Sequence, residues 1–342
     1  NAAIEVLKEY ATNSPDATPL SSVDIIYQGS YPKWLRLANS LKLRMAMRLV
    51  YVIPDQAKTW AEEAVRDGVI ESAEESATLA SYGSIQVFNP LEEVWNAYAD
   101  TRMGATMDAY LNGYSDPRLA TYFKPCEDGK YHGVRNGIAA ITKEYYLGMS
   151  VPNVDKTTPV RWLMSSEVAF LRAEGAMRGW AMGGDAKTFY NKGIELSFLE
   201  NGLSAAQAAT YAESEAKPAA FEDASSSTTA YSIGAPSQIT VKWNDGADQE
   251  EQLERIITQK WIAMFPNGQE AWSEFRRTGY PKIFPIVHDR SNGTVDVNEQ
   301  IRRMTFPRSE YSNNRAALNR AIRLLGGPDQ GSTKLWWDKK NN

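Results

Sequence analysis

Between Ser81 and Arg102 the sequence reads SYGSIQVFNPLEEVWNAYADTR, which sets Tyr82, Phe88, Asn89, Trp95, Tyr98, Asp100 and Arg102 in one short stretch. Rings supply flat apolar faces, and amides, carboxylates and guanidinium groups supply paired hydrogen bonds. A sugar needs both, because its ring face stacks on an aromatic while each buried hydroxyl left unpaired costs about 1–3 kcal/mol. Tyr82, Phe88, Asn89, Trp95, Tyr98 and Arg102 are therefore the candidate ligand-binding residues. Trp95 and Tyr98 lie three apart, so on an α-helix they share a face; Trp95 either stacks a ligand there or anchors the helix to the body beneath. Tyr114, Tyr131, His132 and Arg135 form a second, weaker cluster, and the Tyr27–Tyr31 loop, YQGSY, a third.

Other chemistries have less to work with. One cysteine, Cys126, and two histidines, His132 and His288, permit neither an internal disulfide nor a Cys/His zinc cluster. Cys126 is followed by Glu127 and Asp128, whose charge raises a thiol pKa rather than lowering it. Neither histidine neighbours a nucleophile motif such as G-x-S-x-G. A glycoside hydrolase needs only two carboxylates, and Glu92, Glu93 or Asp100 would be the candidates. The acidic stretch near 71–75, Asp116-Pro117-Arg118 and the run 245–252 offer oxygen ligands, but the last lacks calcium-loop spacing, and acidic runs are ordinarily solvated faces. No cofactor or metal is expected, and the sequon at Asn292 carries little weight without a eukaryotic secretory context.

A net charge of −5 and a pI near 5.4 argue against a nucleic-acid partner, which demands a dominant positive field. The longest apolar candidate, Leu35–Val52, is interrupted by Arg36, Lys42, Arg44 and Arg48, and does not suit a bilayer span. Aromatic content is high, with 17 Tyr, 10 Trp and 10 Phe, which serves core packing, stacking surfaces or both. The opening NAAIEVLKEYATN reads as a helix already under way, with no basic or apolar leader before it, so a mature or trimmed piece is expected.

The elements that must position these residues are mainly helical. KWLRLANSLKLRMAMRLVYVIPDQAKTWAEEAVRDGVI (33–70) and RWLMSSEVAFLRAEGAMRGWAMGGDAKTFYNKGIELSF (161–198) repeat one pattern. Trp34-Leu35 aligns with Trp162-Leu163 and Arg44 with Arg172, and apolar residues recur at three- and four-residue steps. Pro32 and Pro159 mark helix starts; Pro54 and Gly183-Gly184 mark the turns. Paired helices of this length resemble tetratricopeptide units, whose period is about 34 residues. The insert between them, 71–158, mixes Gly, Asn, Asp and Pro with single rings and predicts short helices near Leu91–Ala99 and Thr106–Asn112 among long loops. Residues 221–238 are Ser/Thr-rich and predict an exposed loop; helices are expected over 248–264, 268–277 and 313–325.

QKWIAMFPNGQEAWSEFRRTGYP (259–281) looks like one helix cut by Pro266-Asn267-Gly268, with rings on either side. Trp261 and Phe265 can pack on one side of the bend, Trp272 and Phe275 on the other, and Arg276-Arg277 would favour the helix C-terminus. The segment is expected to be scaffold rather than a reader of ligand. TKLWWD, with Trp336 and Trp337, is expected to pin the C-terminus.

Four segments, 33–48, 170–180, 259–281 and 302–314 with 325–338, resemble in order the SusD/RagB family of outer-membrane lipoproteins of Bacteroidota. The resemblance implies a mostly α, SusD-like fold with tetratricopeptide-like helix pairs as scaffold and long irregular loops. It implies one domain over 1–342, N-terminally incomplete, with helix pairs at 33–70 and 159–200, a ligand-facing insert at 71–158 and a helical and looped part at 201–342. The family's lipidated cysteine is absent, and Cys126 is internal. By resemblance the chain is a non-enzymatic, surface-exposed lipoprotein of the cell outer membrane. It would bind oligosaccharide or polysaccharide and deliver it to a SusC-like TonB-dependent transporter, with a lipid anchor as its only membrane contact. A glycoside hydrolase and a tetratricopeptide-type peptide-binding adaptor are the alternatives.

Overall fold

A computed structural model describes residues 1–139, 143–224 and 231–340. It contains thirteen α-helices and two short strands among the described residues, so the chain is mostly α, as expected. No helix among them is long and apolar enough to cross a membrane.

The two predicted helix pairs form. Helices α2 (Tyr31–Arg48) and α3 (Pro54–Arg66) make the first, and α7 (Ser165–Met177) and α8 (Ala186–Leu199) the second; α1 (Ala2–Asn13) packs on α2. Pro32 and Pro54 lie in the first turns of α2 and α3, where a missing N–H breaks no helical bond. Asp185 caps α8 by accepting from Thr188 N at 2.8 Å. Within the second pair, α8 approaches α7 at Gly193, where a Cβ would fall 2.7 Å from the Phe170 ring.

The repeat is imperfect at one point. Trp34 is helical, but its counterpart Trp162 lies in strand β2 (Val160–Leu163), which pairs antiparallel with β1 (Ala77–Leu79) through Ala77↔Leu163 and Leu79↔Val160. Helix α7 starts later than the pattern suggests because its N-terminus is closed from a distance. Glu200 accepts from Ser166 N at 2.9 Å and from both the Ser165 and Ser166 hydroxyls at 2.6 Å. A carboxylate held there complements the helix dipole.

The remaining helices complete the frame: α9 (Ala205–Ala212) with a Ser204/Gln207 capping box, α10 (Gln249–Ala263) capped by Asp248, and α11 (Gly268–Thr278) capped by Asn267. Helices α12 (Arg308–Asn313) and α13 (Arg315–Leu325) follow. One continuous apolar core runs from Tyr27 through α2, α7, α8 and α10 to Tyr280. The 259–281 segment feeds it: Trp261 meets Tyr110 edge-on, and Phe265, preceding a cis proline, packs on Tyr122 and Phe123 with centroids 4.8 Å from each.

Arg276 and Arg277 do not act as helix-end cations. Gly279, at φ +78°, closes α11, while both guanidinium groups turn inward. Arg277 is wholly buried and grips Glu174 at 2.7 and 2.6 Å and Glu274 at 2.9 and 2.6 Å. Lys260 adds a 2.9 Å bond to Glu274, and Arg44 binds Glu167 through two bonds of 2.8 and 2.6 Å. Burial alone would raise the Glu274 carboxyl, but Arg277, Lys260 and Arg48 hold it well below the usual range. Burial and the charge of Glu167 push Glu270 the other way. Helices α2, α7, α10 and α11 are thus cross-tied by charges that the amphipathic pattern of each alone does not disclose.

Asp116 and Arg118 form a second buried knot, with Arg118 also donating to Ser197 at 2.9 Å and Gln259 at 2.9 Å. Asp-Pro-Arg is therefore a tie between loop and frame. The 221–238 segment is an irregular run in which Phe221 and Ile233 bridge, with Phe221 buried. Its part 225–230 lies outside the described residues.

Candidate functional site

The insert 71–158 is rooted in the frame, with Tyr110, Tyr114, Tyr122 and Phe123 in the main core, and its 82–102 stretch lies outside. After β1 the chain makes a tight turn in which Tyr82 and Ile85 exchange backbone bonds of 3.0 Å, with Gly83 at φ +57°. Tyr82 stands at this turn, 40% exposed. A three-residue helix, α4 (Pro90–Glu92), then opens into a π-helical turn at Glu93–Ala97, closed by Tyr98 N donating to Glu93 O at 3.0 Å. Helix α5 (Ala105–Gly113) and the short α6 (Leu119–Tyr122) follow.

The candidate residues divide into groups. Phe88, Asn89 and Trp95 lie along the 154–158 segment: Lys156 Nζ sits 4.4 Å over the Phe88 ring, Asn89 donates to Thr158 O at 3.1 Å, and Trp95 Nε1–H donates to Val154 O at 2.7 Å. Phe88 is 53% exposed. Asn89 is buried and caps α4 through Leu91 N, so its amide is spent on the backbone. Trp95 is half-buried, with Lys124 Nζ 4.4 Å over its ring.

Tyr98 and Arg102 belong to the 143–147 turn. Tyr98 is 55% exposed and donates its hydroxyl to Glu93 at 3.0 Å. The Lys143 ammonium meets Tyr98 O and binds Asp100 at 2.9 Å. Arg102 donates to Tyr146 O at 3.0 Å, Leu147 O at 3.2 Å and Thr101 O at 2.8 Å, and burial pushes its guanidinium pKa down. The expectation that Trp95 and Tyr98 share a helix face fails here. A π-helical turn carries more residues than an α-turn, so residues three apart diverge: Trp95 turns down to Val154 and Tyr98 out to solvent.

Beside Tyr98 a cleft of about 370 Å³ opens, in which Asp100, Thr101, Arg102, Asn136, Lys143 and Tyr146 stand among apolar residues such as Met103, Val134 and Leu147. The exposed Asn136 amide has no hydrogen-bond partner among the described residues. Exposed rings with amide, ammonium and hydroxyl groups at their feet can stack a pyranose and bind its hydroxyls. Asn136, Lys143 and Lys156 were not legible as site residues, since a lone loop lysine or asparagine has no pattern to mark it; only the folded chain brings Asn136 and Lys143 to the cleft and Lys156 over the Phe88 ring.

The other two clusters do not gather. Tyr114 is buried with its hydroxyl on Ile239 O, Arg135 is buried on Tyr231 O and Pro285 O, and His132 pairs with Asp128 at 2.8 Å. Tyr27 is buried on Glu75 O, and Tyr31 stacks on Tyr10 at 5.0 Å. Among the carboxylates weighed for hydrolysis, Glu92 accepts from Asn96, Glu93 from Tyr98 and Asp100 from Lys143. Cys126 is half-buried against the Ser150 hydroxyl at 3.4 Å.

Comparison with known proteins gives this geometry a lineage. A family model described as SusD-like, SusD and RagB outer membrane lipoprotein, matches residues 1–338. A solved SusD homologue from Bacteroides thetaiotaomicron is 41% identical with a TM-score of 0.92, covering 99% of this chain and 72% of that one. A chitin-binding SusD homologue from Flavobacterium johnsoniae is 39% identical with a TM-score of 0.93, covering 99% of this chain and 70% of that one. A SusD-like protein, also from Bacteroides thetaiotaomicron, is 43% identical with a TM-score of 0.92, covering 99% and 71%. No curated protein matches the sequence.

Proposed function

This chain belongs to the SusD-like family of SusD and RagB outer-membrane lipoproteins, and from that premise we propose that it captures oligosaccharide at the cell surface and passes it to a SusC-like TonB-dependent transporter. It does so as a binding protein, with no chemistry of its own. The insert 71–158 presents the ligand face of a single domain, and Phe88 and Tyr98 stack the sugar. Arg102, Asn136 and Lys143 line the cleft that takes its hydroxyls, while Asn89 and Trp95 hold the segment in shape.

The observation that carries this reading is that Phe88 and Tyr98 are each more than half exposed on a segment whose neighbours are tied down by long-range bonds. A ring fixed at its base and open at its face loses little freedom on binding. The chitin-binding relative supports a glycan as ligand class.

Isothermal titration against chito-, xylo- and pectic oligosaccharides tests the proposal. At least one class is expected to bind, and Phe88→Ala and Tyr98→Ala are each expected to weaken it about 2- to 10-fold. Absence of binding to every saccharide, or binding indifferent to both substitutions, refutes it. Release of reducing ends from a bound glycan would return the hydrolase reading. Co-purification with the transporter protein tests the delivery step.

A further inference from the structure

The hairpin of α12 and α13 is basic on a protein that is not. Between Arg308 and Leu325 the chain holds four arginines and a single acid, Glu310, while the net charge of the whole is −5. Arg66, Arg290, Arg308, Arg315, Arg320 and Arg323 are the exposed arginines among the described residues, so most of them fall on this one hairpin. Arg66 is answered by Asp67. The four on the hairpin have no ion-pair partner among the described residues; Arg315 lies 5.5 Å from the Tyr311 ring centroid, and Glu310 accepts from Asn314 at 3.0 Å.

On α13 the arginines share a side. At 3.6 residues per turn, Arg315, Asn319, Arg323 and Arg320 fall within an arc of about 140°, and all four are exposed. The opposite side is apolar, with Leu318 buried and Ala317, Ala321, Ile322 and Leu325 half-buried. Helix stability does not account for the charges. A cation at the first position of a helix opposes its dipole, yet Arg315 stands there, with no acid in the first turn and no side-chain cap from Asn314. Nor does the hairpin feed the core: α13 packs chiefly on α12, and Leu318 lies outside both apolar clusters. Asp329 fastens its base instead, accepting from Tyr311 Oη and Arg303 Nη1, both at 2.5 Å.

We propose that this face docks on an anionic lipid surface, its arginines meeting phosphate headgroups and Leu324 entering the layer beneath them. Three observations select this occupant. Arg315 and Arg323 are eight residues apart, about 12 Å along the helix, further than one phosphate reaches; a convex row of guanidinium groups suits a sheet of charges rather than an enclosed small anion. Leu324 lies four residues beyond Arg320, so it borders the row, and at 83% it is the most exposed large apolar side chain among the described residues. Lipid rewards burial of that side chain and a hydrophilic polyanion does not, and basic amphipathic helices of this kind lie in the plane of an interface. Finally, the family is one of outer-membrane lipoproteins, whose members work beside such a surface. The contact adds to a lipid anchor and fixes which side of the body faces the membrane. It is independent of the glycan reading.

Vesicle flotation at low ionic strength tests this, with phosphatidylcholine alone and with about one-third phosphatidylglycerol added. The chain is expected to float with the anionic vesicles, to ignore the neutral ones and to be released by salt. The double variant Arg320→Gln, Arg323→Gln is expected to weaken binding about 25-fold, near fivefold per charge. The double variant Arg66→Gln, Arg290→Gln, with the same change of net charge, is expected to alter it by less than about twofold. Leu324→Ser is expected to weaken vesicle binding about fivefold, with thermal unfolding confirming that each variant is folded. The docking face is overturned if anionic vesicles are not bound, if the two double variants behave alike, or if Leu324→Ser binds as the parent does. Polygalacturonate bound in preference to vesicles, or arginine-dependent self-association in gel filtration, overturns it in favour of a polysaccharide or of a second copy of the chain.

Discussion

The frame and the outer stretch of the insert, 82–98, treat polar and aromatic groups in opposite ways. In the frame, charge is buried and answered: Arg277 is wholly enclosed between Glu174 and Glu274, and Arg118, at the root of the insert, is locked in the same way onto Asp116, Ser197 and Gln259. In the outer stretch of the insert, 82–98, Tyr82, Phe88 and Tyr98 stand open and a cation lies over one of them, Lys156 over Phe88, whereas Tyr110, Tyr114, Tyr122 and Phe123 at its root are buried. Unpaired buried charge is costly, so the frame has little freedom to vary its partners. An exposed ring costs the fold little and is available for something else. The contrast separates residues that hold shape from residues free to meet a ligand.

Removing a partner from the frame is the severest way to break that contrast. Arg277→Met leaves Glu174 and Glu274 buried without their shared cation and is expected to lower stability by about 3–5 kcal/mol, read from urea unfolding. Acid attacks the same knot. Glu174 and Glu274 have folded-state pKa values below the ordinary carboxylate range, despite burial, because Arg277 and its neighbours hold them there. Their contribution is therefore complete above the unfolded pKa of about 4.3 and is lost as pH falls through it toward the depressed values. Glu270, raised by burial and Glu167, runs the opposite way. Glu270→Gln is accordingly expected to steepen the acid loss, seen as unfolding midpoints across a pH series.

A smaller effect asks where the insert stops behaving as surface. Gly113 ends α5, and a Cβ there would fall 2.2 Å from Ala219 N and 2.5 Å from Lys217 O, both backbone atoms that cannot swing aside. Gly113→Ala is expected to cost about 1–3 kcal/mol in the same unfolding assay, placing the base of the insert with the frame. At the other extreme, Phe88→Ala and Tyr98→Ala are expected to change stability by no more than about 0.5 kcal/mol. A larger loss from either would mean that the ring belongs to the core and would blur the division.

Much of the frame was legible because its signals are local. Pro32 and Pro54 begin helices, Asp185 and Asp248 cap them, and the three- and four-residue apolar steps in 33–70 and 161–198 fall on the two helix pairs. The misreadings share one cause. Trp162 reads as helical because it repeats Trp34, but Ser76 and Glu200, far along the chain, fix the start of α7 and leave Trp162 to a strand. Arg276-Arg277 looked like end caps because Glu174, the partner of Arg277, lies 103 residues away. Among the candidate site residues, nothing local distinguished Phe88 and Tyr98 from Asn89, which sits in the same polar-and-aromatic run and is buried.

The sequence by itself determined the helices, their pairing and the family, since backbone bonds four residues apart, caps and a repeated pattern are all written along the chain. Tertiary structure alone decided which rings face water. Trp95 turns down because Val154 O is there to accept its N–H, and Tyr27 is buried because Glu75 O accepts its hydroxyl. Exposure is a property of what surrounds a side chain, and those surroundings come from segments that meet only when the chain has folded.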